Sequence, residues 1–274
     1  MTSSVDRPRR ARRALSQHFL VDPNLQRKIV TALEPSASDH VIEIGPGRGA
    51  LTRHLAGQVA RLLLVELDAH LAEQLADEYR GRDDVTVVHA DVLDISLSQS
   101  VQGQHFKVIG NIPYGITTPL IFHLLDQRPR PQVAVLTVQR EVADRLVAQP
   151  GTKNYGALTV GVQAVADVER LFGLSRNVFR PRPDVDSTAI RITAIDPPPL
   201  SESQGAALRQ LTRVAFSRRR KQLRTILRRA PDYDLDTEHA EAILLSLGVD
   251  PATRPDALPV EAFVRLADTL QCRS

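Results

Sequence analysis

The stretch Val41-Ile42-Glu43-Ile44-Gly45-Pro46-Gly47-Arg48-Gly49 is a short apolar run that leads directly into a glycine-rich turn. Leu51, Leu55 and Val59 follow with the spacing of one helix face. A buried strand, a glycine turn and a helix in this order predict the first strand–helix unit of an α/β sheet. The glycines follow a G-x-G-x-G spacing, which differs from the G-x-G-x-x-G turn that binds pyrophosphate. The turn predicts close approach of the backbone to a ligand without identifying that ligand.

Apolar runs and helical patterns continue to alternate along the first part of the chain. Asp22-Pro23 predicts the N-cap and first-turn proline of a helix that runs to about Leu33, and this places 17–20 as a lid leading into it. Further apolar segments near 157–165 and 188–194 predict later strands, including an antiparallel hairpin at the sheet edge. The alternation is typical of a parallel, doubly wound sheet. Its strands are predicted near 41–45, 61–66, 85–88, 106–110 and 132–138.

A proline-rich segment, 196–201, interrupts this pattern and predicts a semi-rigid linker. Beyond it apolar residues recur at helical spacing, and Pro231, Gly248 and Pro251 divide the chain into short helices. At 274 residues the chain is long enough for two modest domains, each with its own core. We predict three parts: a disordered basic arm over 1–13, an α/β domain over 14–196 and a small all-α domain over 197–274.

Three acidic residues, Glu43, Glu66 and Asp91, are predicted near the carboxyl ends of successive strands. Open α/β sheets bind ligands at this edge, where Glu66 could accept both hydroxyls of a ribose and Asp91 an adenine amino group. Each acid alone is more often a solvated loop residue, but the three together with the glycine turn favour a nucleoside site. An acidic pocket suits a cationic sulfonium better than the pyrophosphate of NAD. S-adenosylmethionine is therefore the favoured ligand.

The four residues Asn111-Ile112-Pro113-Tyr114 stand at the end of the apolar run 106–110. The Asn111 side-chain oxygen and the Ile112 carbonyl could each accept one N–H of an exocyclic amine, which would turn the nitrogen lone pair outward. Pro113 fixes its own φ and biases Ile112 to an extended conformation, and Tyr114 could stack on an extruded base. In isolation the four residues are equally well explained as a turn. Beside a nucleoside site they favour chemistry on a nucleobase.

The net charge of +3 conceals a polarised distribution. Residues 205–230 contain nine Lys or Arg and no Asp or Glu, so 26 basic and 32 acidic residues remain elsewhere. A second cluster, of five arginines, lies between residues 7 and 13. Such runs are more often solvated faces, but next to a base-handling pocket we favour phosphate binding. The predicted RNA-binding residues are Arg218, Arg219, Arg220, Lys221 and Arg224.

The composition also excludes several classes of protein. The single cysteine, Cys272, excludes an intrachain disulfide and a thiolate cluster. No segment approaches 18 continuous apolar residues, and the Arg-rich N-terminus lacks the apolar stretch of a secretory signal. We therefore expect a soluble, cytoplasmic monomer that needs no metal and has no membrane partner.

These motifs together resemble the rRNA adenine N6-methyltransferase family, which joins the KsgA-type small-subunit dimethyltransferases to the Erm-type macrolide-resistance methyltransferases. The resemblance runs from about residue 14 to the C-terminus. Segment 16–20 resembles the family's G-Q-N-F-L, 43–49 its E-x-G-x-G-x-G turn, 111–114 its N-[LI]-P-Y box and 179–187 its F-x-P-x-P-K-V-D-S loop. The resemblance implies a Rossmann-like methyltransferase sheet, S-adenosylmethionine as cofactor, and Tyr114 and Phe179 as an aromatic sandwich around the base.

Two sets of site residues follow from the patterns and the resemblance. The catalytic set is Asn111, Ile112, Pro113, Tyr114 and Phe179. The cofactor-binding set is Gln17, His18, Leu20, Glu43, Gly45, Gly47, Gly49, Glu66, Leu67, Asp91, Val92 and Asn111. The chain departs from the family pattern where Ser16 replaces a Gly, His18 an Asn that helps hold the cofactor, and Asp184 a Lys. His18 can still donate one hydrogen bond, and its partner is left open.

The two ends of the chain resemble different branches of the family. Segment 215–224 resembles the A-F-x-x-R-R-K-x-[LI]-R helix of the KsgA branch, whereas 16–19 and 111–119 resemble the Erm branch. We favour the KsgA type, with ribosomal RNA or a ribosomal subunit precursor as partner and one or two methyl groups placed on adenine N6, because the C-terminal domain is expected to choose the RNA surface. The alternatives are Erm-type methylation of large-subunit rRNA with macrolide resistance, and an RNA-binding assembly protein with a vestigial cofactor site. A nicotinamide-dependent oxidoreductase is disfavoured by the glycine spacing.

Overall fold

The computed structural model describes residues 17–233 and 235–271 of the chain. The predicted basic arm over 1–13 lies outside the described residues, as do Ser16 and Cys272. Within them, a two-stranded ribbon accompanies a large sheet flanked by helices.

Seven strands form the large sheet. Their bounds are His40–Ile44 (β2), Arg61–Glu66 (β3), Val85–His89 (β4), Lys107–Asn111 (β5), Val133–Gln139 (β6), Ala166–Leu174 (β7) and Ser187–Ala194 (β9). The order across the sheet is β4-β3-β2-β5-β6-β9-β7. Strands β2 to β6 pair in parallel, and β9 pairs antiparallel with both β6 and β7. The predicted α/β sheet with an antiparallel edge hairpin is confirmed. The separate ribbon pairs Phe19–Leu20 (β1) with Phe179–Arg180 (β8).

Helices precede, connect and follow the parallel strands. Their bounds are Pro23–Ala32 (α1), Thr52–Leu55 (α2), Ala69–Glu78 (α3), Leu97–Ser100 (α4), Thr117–Asp126 (α5), Arg140–Leu146 (α6) and Ala157–Gln163 (α7). Helix α1 begins as predicted, because Asp22 Oδ1 accepts the N–H groups of Asn24 and Leu25 at 2.8 and 3.0 Å. These bonds satisfy two of the donors that every helix start leaves without an intrahelical partner.

Successive residues of each central strand alternate between two apolar cores, as strand geometry requires. Ile42 and Leu63 belong to one core, together with Leu120 of α5. Val41 and Leu62 belong to the other, together with Ile29 of α1. Both faces of the sheet are therefore covered by helices, which explains why its strands are continuous apolar runs rather than alternating ones.

One predicted strand is wrong. The apolar segment near 157–165 forms α7, and the edge strand β7 begins only at Ala166. At the helix start, Thr159 Oγ1 accepts the Gly156 N–H at 3.1 Å and donates to the Arg145 carbonyl at 2.6 Å. A short, continuous apolar run does not separate a strand from a buried helix by its periodicity. The start of the helix is fixed by a residue on α6, which the local pattern does not reveal.

Four helices follow the proline-rich segment: Glu202–Ser217 (α8), Leu223–Arg228 (α9), Thr237–Ser246 (α10) and Val260–Gln271 (α11). Leu211 of α8 and Phe263 of α11 belong to the same apolar core as Leu158 of α7. The helical part therefore packs directly on the sheet part. The predicted boundary at residue 196 falls between β9 and α8, and the division into two domains stays a prediction. Among residues 17–233 and 235–271, no helix combines the length and apolar character that crossing a bilayer requires.

Gly110 of β5 allows the close approach of this strand to β2. A Cβ at Gly110 would lie 2.6 Å from the Ile44 carbonyl oxygen and 2.7 Å from the Ile112 side chain. We expect Gly110→Ala to lower the free energy of unfolding by about 2 kcal/mol, the usual cost of overpacking a core, as measured by urea denaturation. Gly173→Ala in β7 is the matched control, because a Cβ there meets nothing within 4 Å. Equal losses in the two variants would contradict this role for Gly110.

Candidate active site

The carboxyl ends of β2, β3, β4 and β5 surround a cavity of about 510 Å³, a volume ordinary for a small-molecule site. The predicted residues that line it are Gln17, His18, Leu20, Glu43, Gly45, Gly47, Glu66, Leu67, Asp91, Val92, Asn111, Ile112, Pro113 and Tyr114. Gly49 and Phe179, also predicted, are not among its lining residues. The fold thus collects residues from five separate stretches of the sequence at one edge of the sheet.

The glycine turn has a backbone conformation that L side chains rarely adopt. The φ angles of Gly45, Gly47 and Gly49 are 64°, 59° and 70°. A Cβ at Gly47 would lie 3.0 Å from the Phe19 ring, whereas one at Gly49 would lie 3.3 Å from Leu75 of α3. Gly47 therefore permits the lid to approach the turn, and Gly49 serves the packing of the turn on α3.

Glu66 is only 2% exposed and connects two strand ends. Its Oε2 accepts the Gly47 N–H at 2.9 Å, and its Oε1 accepts the N–H groups of Leu67 and Asp68, each at 2.9 Å. Three N–H donors offset the cost of burying the carboxylate and fix its orientation. A carboxylate offers about four acceptor positions, so Oε2 retains the capacity to accept from a ligand hydroxyl.

Glu43 is buried to the same extent as Glu66. Its Oε2 accepts the Thr52 hydroxyl at 2.7 Å. Burial raises the pKa of Glu43 to about 7, because desolvation disfavours the charged form more than the Thr52 hydrogen bonds favour it, and the nearby Glu66 charge adds to the rise. The site therefore contains a carboxyl group whose charge changes near neutral pH.

Asp91 and Leu67 complete the far side of the cavity. Asp91 is half-buried after β4, and its Oδ1 accepts the Leu93 N–H at 3.0 Å, which leaves Oδ2 as an acceptor. Leu67 is 46% exposed beside the buried Glu66 and offers apolar surface at the rim. In the part of the chain that the structure describes, no group of three or more His, Cys, Asp or Glu is placed to hold a metal ion.

The Asn111 amide has a defined orientation at the end of β5. Its Nδ2 donates to the His18 carbonyl at 2.8 Å. A carbonyl can only accept, so this contact identifies the amide nitrogen and leaves Oδ1 as the atom that can accept from a bound group. Ile112 and Pro113 continue the cavity wall beside it.

Tyr114 contributes an aromatic ring to the same wall. Its hydroxyl hydrogen-bonds with Ser187 Oγ at 2.8 Å. Its ring centroid lies 5.7 Å from that of His18, with 34° between the planes. Burial raises the pKa of the Tyr114 hydroxyl, so the ring remains neutral over the physiological range.

The segment 17–20 lines the cavity, where a lid is predicted, and three contacts hold it there. Leu20 pairs with Phe179 across the ribbon of β1 and β8. Gln26 Nε2 donates to the Leu20 carbonyl at 2.9 Å. The Arg48 guanidinium lies 4.7 Å from the centre of the Phe19 ring, a favourable cation–π distance. Sequence reasoning missed Arg48, because an arginine in a glycine turn carries no signal of a ring above it.

That Phe179 forms one face of an aromatic sandwich stays a prediction, and the structure places its ring away from the cavity. Its side chain is 1% exposed and packs in the same core as Leu20 and Ile29. Pairing of β8 with β1 directs Phe179 inward and leaves the adjacent Arg180 exposed. In this conformation its ring offers no face to a base, and Tyr114 is the member of the predicted pair that lines the cavity.

The basic residues predicted to bind RNA, in the turn between α8 and α9 and at the start of α9, are of two kinds. Arg219 is part-buried and ion-pairs with Asp256 at 3.3 Å. It also donates to the carbonyls of Lys153 at 2.6 Å and Thr152 at 2.9 Å. These bonds attach the turn to the loop that precedes α7. Arg219 therefore has a structural function that the charge pattern does not indicate.

The remaining basic residues of the run are exposed. Arg218 donates to the Arg229 carbonyl at 3.3 Å, and Arg224 pairs with Glu241 at 2.8 Å. The side chains of Arg220 and Lys221 make no hydrogen bond or ion pair with any described residue. These two are the members of the predicted set whose charge is most available to a partner.

Comparisons with known proteins extend over nearly the whole chain. The family model for ribosomal RNA adenine dimethylase matches residues 9–271. Ribosomal RNA small subunit methyltransferase A of Geobacillus thermodenitrificans is 38% identical over 265 residues, covering 94% of this chain and 90% of that protein. The protein of the same name from Geobacter metallireducens is 38% identical over 261 residues, covering 94% of each chain.

Solved structures share the fold. A dimethyladenosine transferase from Plasmodium falciparum superposes with a TM-score of 0.80 at 28% identity, covering 91% of this chain and 96% of its own. The 23S rRNA methyltransferase ErmE superposes with a TM-score of 0.68, also at 28% identity, covering 92% of this chain and 99% of its own.

The raised pKa of Glu43 predicts a pH-dependent loss of stability. Below its ordinary value of 4.5 the carboxyl group is protonated in both states. Between pH 4.5 and about 7 the unfolded chain releases the proton while the folded protein retains it, so stability decreases as pH rises. Above pH 7 the loss is complete, and the gap between the two pKa values corresponds to roughly 3 kcal/mol.

Glu43→Gln removes this titration while preserving the shape of the side chain. In the purified protein we expect the variant to be close to wild type at pH 5 and more stable by up to roughly 3 kcal/mol at pH 8, measured by urea denaturation. Glu73→Gln, an exposed substitution on α3, is the control and should give the same small difference at both pH values. A Glu43→Gln effect that does not change between pH 5 and 8 would show that Glu43 titrates normally.

Proposed function

This chain belongs to the ribosomal RNA adenine dimethylase family, and we propose that it transfers methyl groups from S-adenosylmethionine to the N6 amine of an adenine in small-subunit ribosomal RNA. The proposal depends most on Asn111, whose Nδ2 is held by the His18 carbonyl so that Oδ1 is left to accept. An exocyclic amine offers two hydrogens, and Oδ1 together with the adjacent Ile112 carbonyl is complementary to it. Relatives named as small-subunit methyltransferases match over nearly the full chain, which supports that subunit as the substrate.

The residues around the cavity fit a cationic nucleoside as methyl donor. Glu66 is fixed by three N–H groups and has acceptor capacity left for ribose hydroxyls. Asp91 Oδ2 would accept from the adenine amino group, and Leu67 would cover the base from the rim. The glycine turn would contact the amino-acid part through its backbone. When bound, S-adenosylmethionine supplies a methyl group that its positively charged sulfur already activates.

Three arginines line the cavity beside the acidic residues, and each is held by other groups of the protein. Arg48 lies over Phe19. Arg53 donates to the Gly49 and Arg48 carbonyls at 3.0 and 3.2 Å. Arg180 donates to two carbonyls of its own segment. These contacts leave the arginines charged but direct them at protein groups, whereas Glu66 and Asp91 keep acceptor capacity for a ligand, and this supports a nucleoside donor over a phosphate-bearing cofactor.

Catalysis would depend on orientation. The N6 lone pair of adenine is delocalised into the purine ring, and Asn111 Oδ1 with the Ile112 carbonyl would turn it outward by accepting the two N–H groups. Tyr114 would stack on the base and hold it in place. Because these groups are positioned before the base arrives, they lower the barrier without reorganising. The nitrogen loses its proton readily once alkylated, so we propose no dedicated general base.

The turn between α8 and α9 would contact RNA phosphates. Arg220 and Lys221 are exposed there without protein partners among the described residues, and Arg218 lies beside them with part of its donor capacity free. Arg219 and Arg224 are paired with Asp256 and Glu241. We therefore reduce the proposed phosphate contacts to Arg218, Arg220 and Lys221.

A second candidate is methylation of large-subunit RNA, which the likeness to ErmE supports. We favour the small subunit, because relatives bearing that name are more similar in sequence to this chain. A binding protein with an inactive cofactor site is less well supported, since Asn111, Tyr114 and the Glu66 carboxylate are all in place around one cavity.

We expect the protein, with labelled S-adenosylmethionine, to methylate one or two adenines of small-subunit RNA or particles in preference to large-subunit ones. Asn111→Ala should lower the single-turnover rate about a hundredfold, the usual cost of one preorganised polar group, and change RNA affinity by less than about threefold. The control is Asn177→Ala, an exposed asparagine that does not line the cavity.

The outcomes separate the candidates. A single-turnover rate within about threefold of wild type, less than 1 kcal/mol in barrier, would remove Asn111 from the proposed role. Label found in large-subunit RNA alone would favour the ErmE-like reaction. Specific RNA binding without methyl transfer to either subunit would identify an assembly protein.

Neutralising Arg220 and Lys221 to Gln should weaken RNA binding and leave donor affinity unchanged. Two lost phosphate contacts should reduce the slope of log K against log salt by about 1.5. Arg80→Gln with Arg82→Gln removes equal charge after α3 and should not change the slope. Arg219→Gln should instead lower the thermal midpoint, because it breaks the bonds to Asp256 and the 152–153 carbonyls. A slope that the Arg220 and Lys221 changes leave intact would mean that this pair is only solvated.

A further inference from the structure

We propose that the His18 side chain is a positioning residue, which holds Tyr114 in place for the target base and couples closure of the lid to alignment of the base site. The proposal rests on the proposed function and deepens it. The sequence assigns His18 to the cofactor, yet its ring contacts Pro181 and Tyr114, and its carbonyl contacts Asn111. Two of these three partners belong to the proposed base site.

The His18 ring is fixed in one tautomeric form. Its Nδ1 lies 2.7 Å from the Pro181 carbonyl oxygen. Because a carbonyl only accepts, Nδ1 carries a hydrogen whether the ring is neutral or charged. Pro181 directly follows β8, so this bond extends the pairing of β1 with β8 by a side-chain contact. The ring is thereby attached to the segment opposite the lid.

The same ring restrains Tyr114. The two centroids are 5.7 Å apart, and the planes are 34° from parallel. The Tyr114 hydroxyl is bonded to Ser187 Oγ, so Tyr114 is held both at its hydroxyl and along its ring. An aromatic side chain that is ordered before the base binds loses no rotamer entropy at that step. His18 therefore contributes to the base site without touching the reacting atoms.

The main chain of His18 makes the second connection. Its carbonyl accepts from Asn111 Nδ2 at 2.8 Å and so determines which amide atom is left for the substrate. If the lid moved away, Asn111 would lose this partner, and Tyr114 would lose its ring contact. The neighbouring Phe19 and Leu20 line the donor cavity. A single short segment thus contacts the donor side and the base side together.

Substitutions at residue 18 separate the two connections, because they change the ring and keep the carbonyl. His18→Phe keeps a ring that can pack on Tyr114 but cannot donate to Pro181. His18→Ala removes the ring. His105→Ala is the matched control, since His105 is exposed at the amino end of β5, away from the edge that carries the site.

The test is a double-mutant cycle between residue 18 and Tyr114, read as single-turnover methylation at saturating donor and RNA. We expect His18→Ala to lower the rate about tenfold and His18→Phe about threefold. In a Tyr114→Leu background each change should cost less than twofold, because the residue through which His18 acts is absent. Donor affinity by calorimetry should stay within about threefold in all variants, and His105→Ala should match wild type.

A loss from His18→Ala that persists in full beside Tyr114→Leu would overturn the proposal. So would a donor affinity that falls in parallel with the rate, since both results indicate that segment 17–20 is merely disordered. A rate that His18→Ala leaves unchanged would overturn it as well. Fluorescence of 2-aminopurine at the methylated position of an RNA fragment gives a second readout, because quenching by stacking should decrease in His18→Ala. If the wild-type protein methylates no RNA, the proposed function fails. If wild type and variants methylate RNA equally, only the role proposed for His18 fails.

Discussion

The buried Glu66 carboxylate holds the binding edge of the sheet together. It accepts N–H groups from the glycine turn after β2 and from the two residues after β3, so two loops share one anion. Without it, the buried Gly47 N–H would lack a partner at a cost of about 1–3 kcal/mol, and the part-buried N–H groups of Leu67 and Asp68 would lose theirs. The glycine turn, held in this position, places Gly47 against Phe19. Segment 17–20 therefore lies beside the cavity. The shape of the site therefore depends on one charge and the dipoles directed at it.

The proposed base side of the site depends on two restraints that meet at Asn111. On one side, β5 lies so close to β2 that residue 110 must be glycine, and this fixes the strand end from which Asn111 projects. On the other, the lid supplies the His18 carbonyl that orients the amide. Methyl transfer to nitrogen requires no proton relay, so such restraints can supply most of what the reaction needs. The two atoms that the proposal assigns to the target amine, Asn111 Oδ1 and the Ile112 carbonyl oxygen, are both acceptors.

The sequence was sufficient where a local pattern determines position. The parallel strands are buried on both faces and therefore appear as continuous apolar runs, and Glu66 and Asn111 could be placed because they end such runs. The sequence was insufficient where a residue distant in the chain determines the local structure. The segment 157–165 became a helix whose start is bonded to α6. Phe179 became buried through pairing with Leu20, far away in the chain. No local pattern separates Arg219 from Arg220, since Asp256 and two loop carbonyls make the difference.

The difference between Arg219 and Arg220 determines how the turn between α8 and α9 could bind RNA. Arg219 bonds the turn between α8 and α9 to the loop before α7, and α8 shares its apolar core with α7. The exposed pair Arg220 and Lys221 is therefore part of a surface that packing fixes relative to the sheet. Phosphates bound there would restrict which adenines can reach Tyr114, because a rigid surface transmits position as well as charge. In the proposed function, the structural arginine and the exposed pair would be complementary, because Arg219 would set the geometry of RNA binding and the pair would supply the electrostatic attraction.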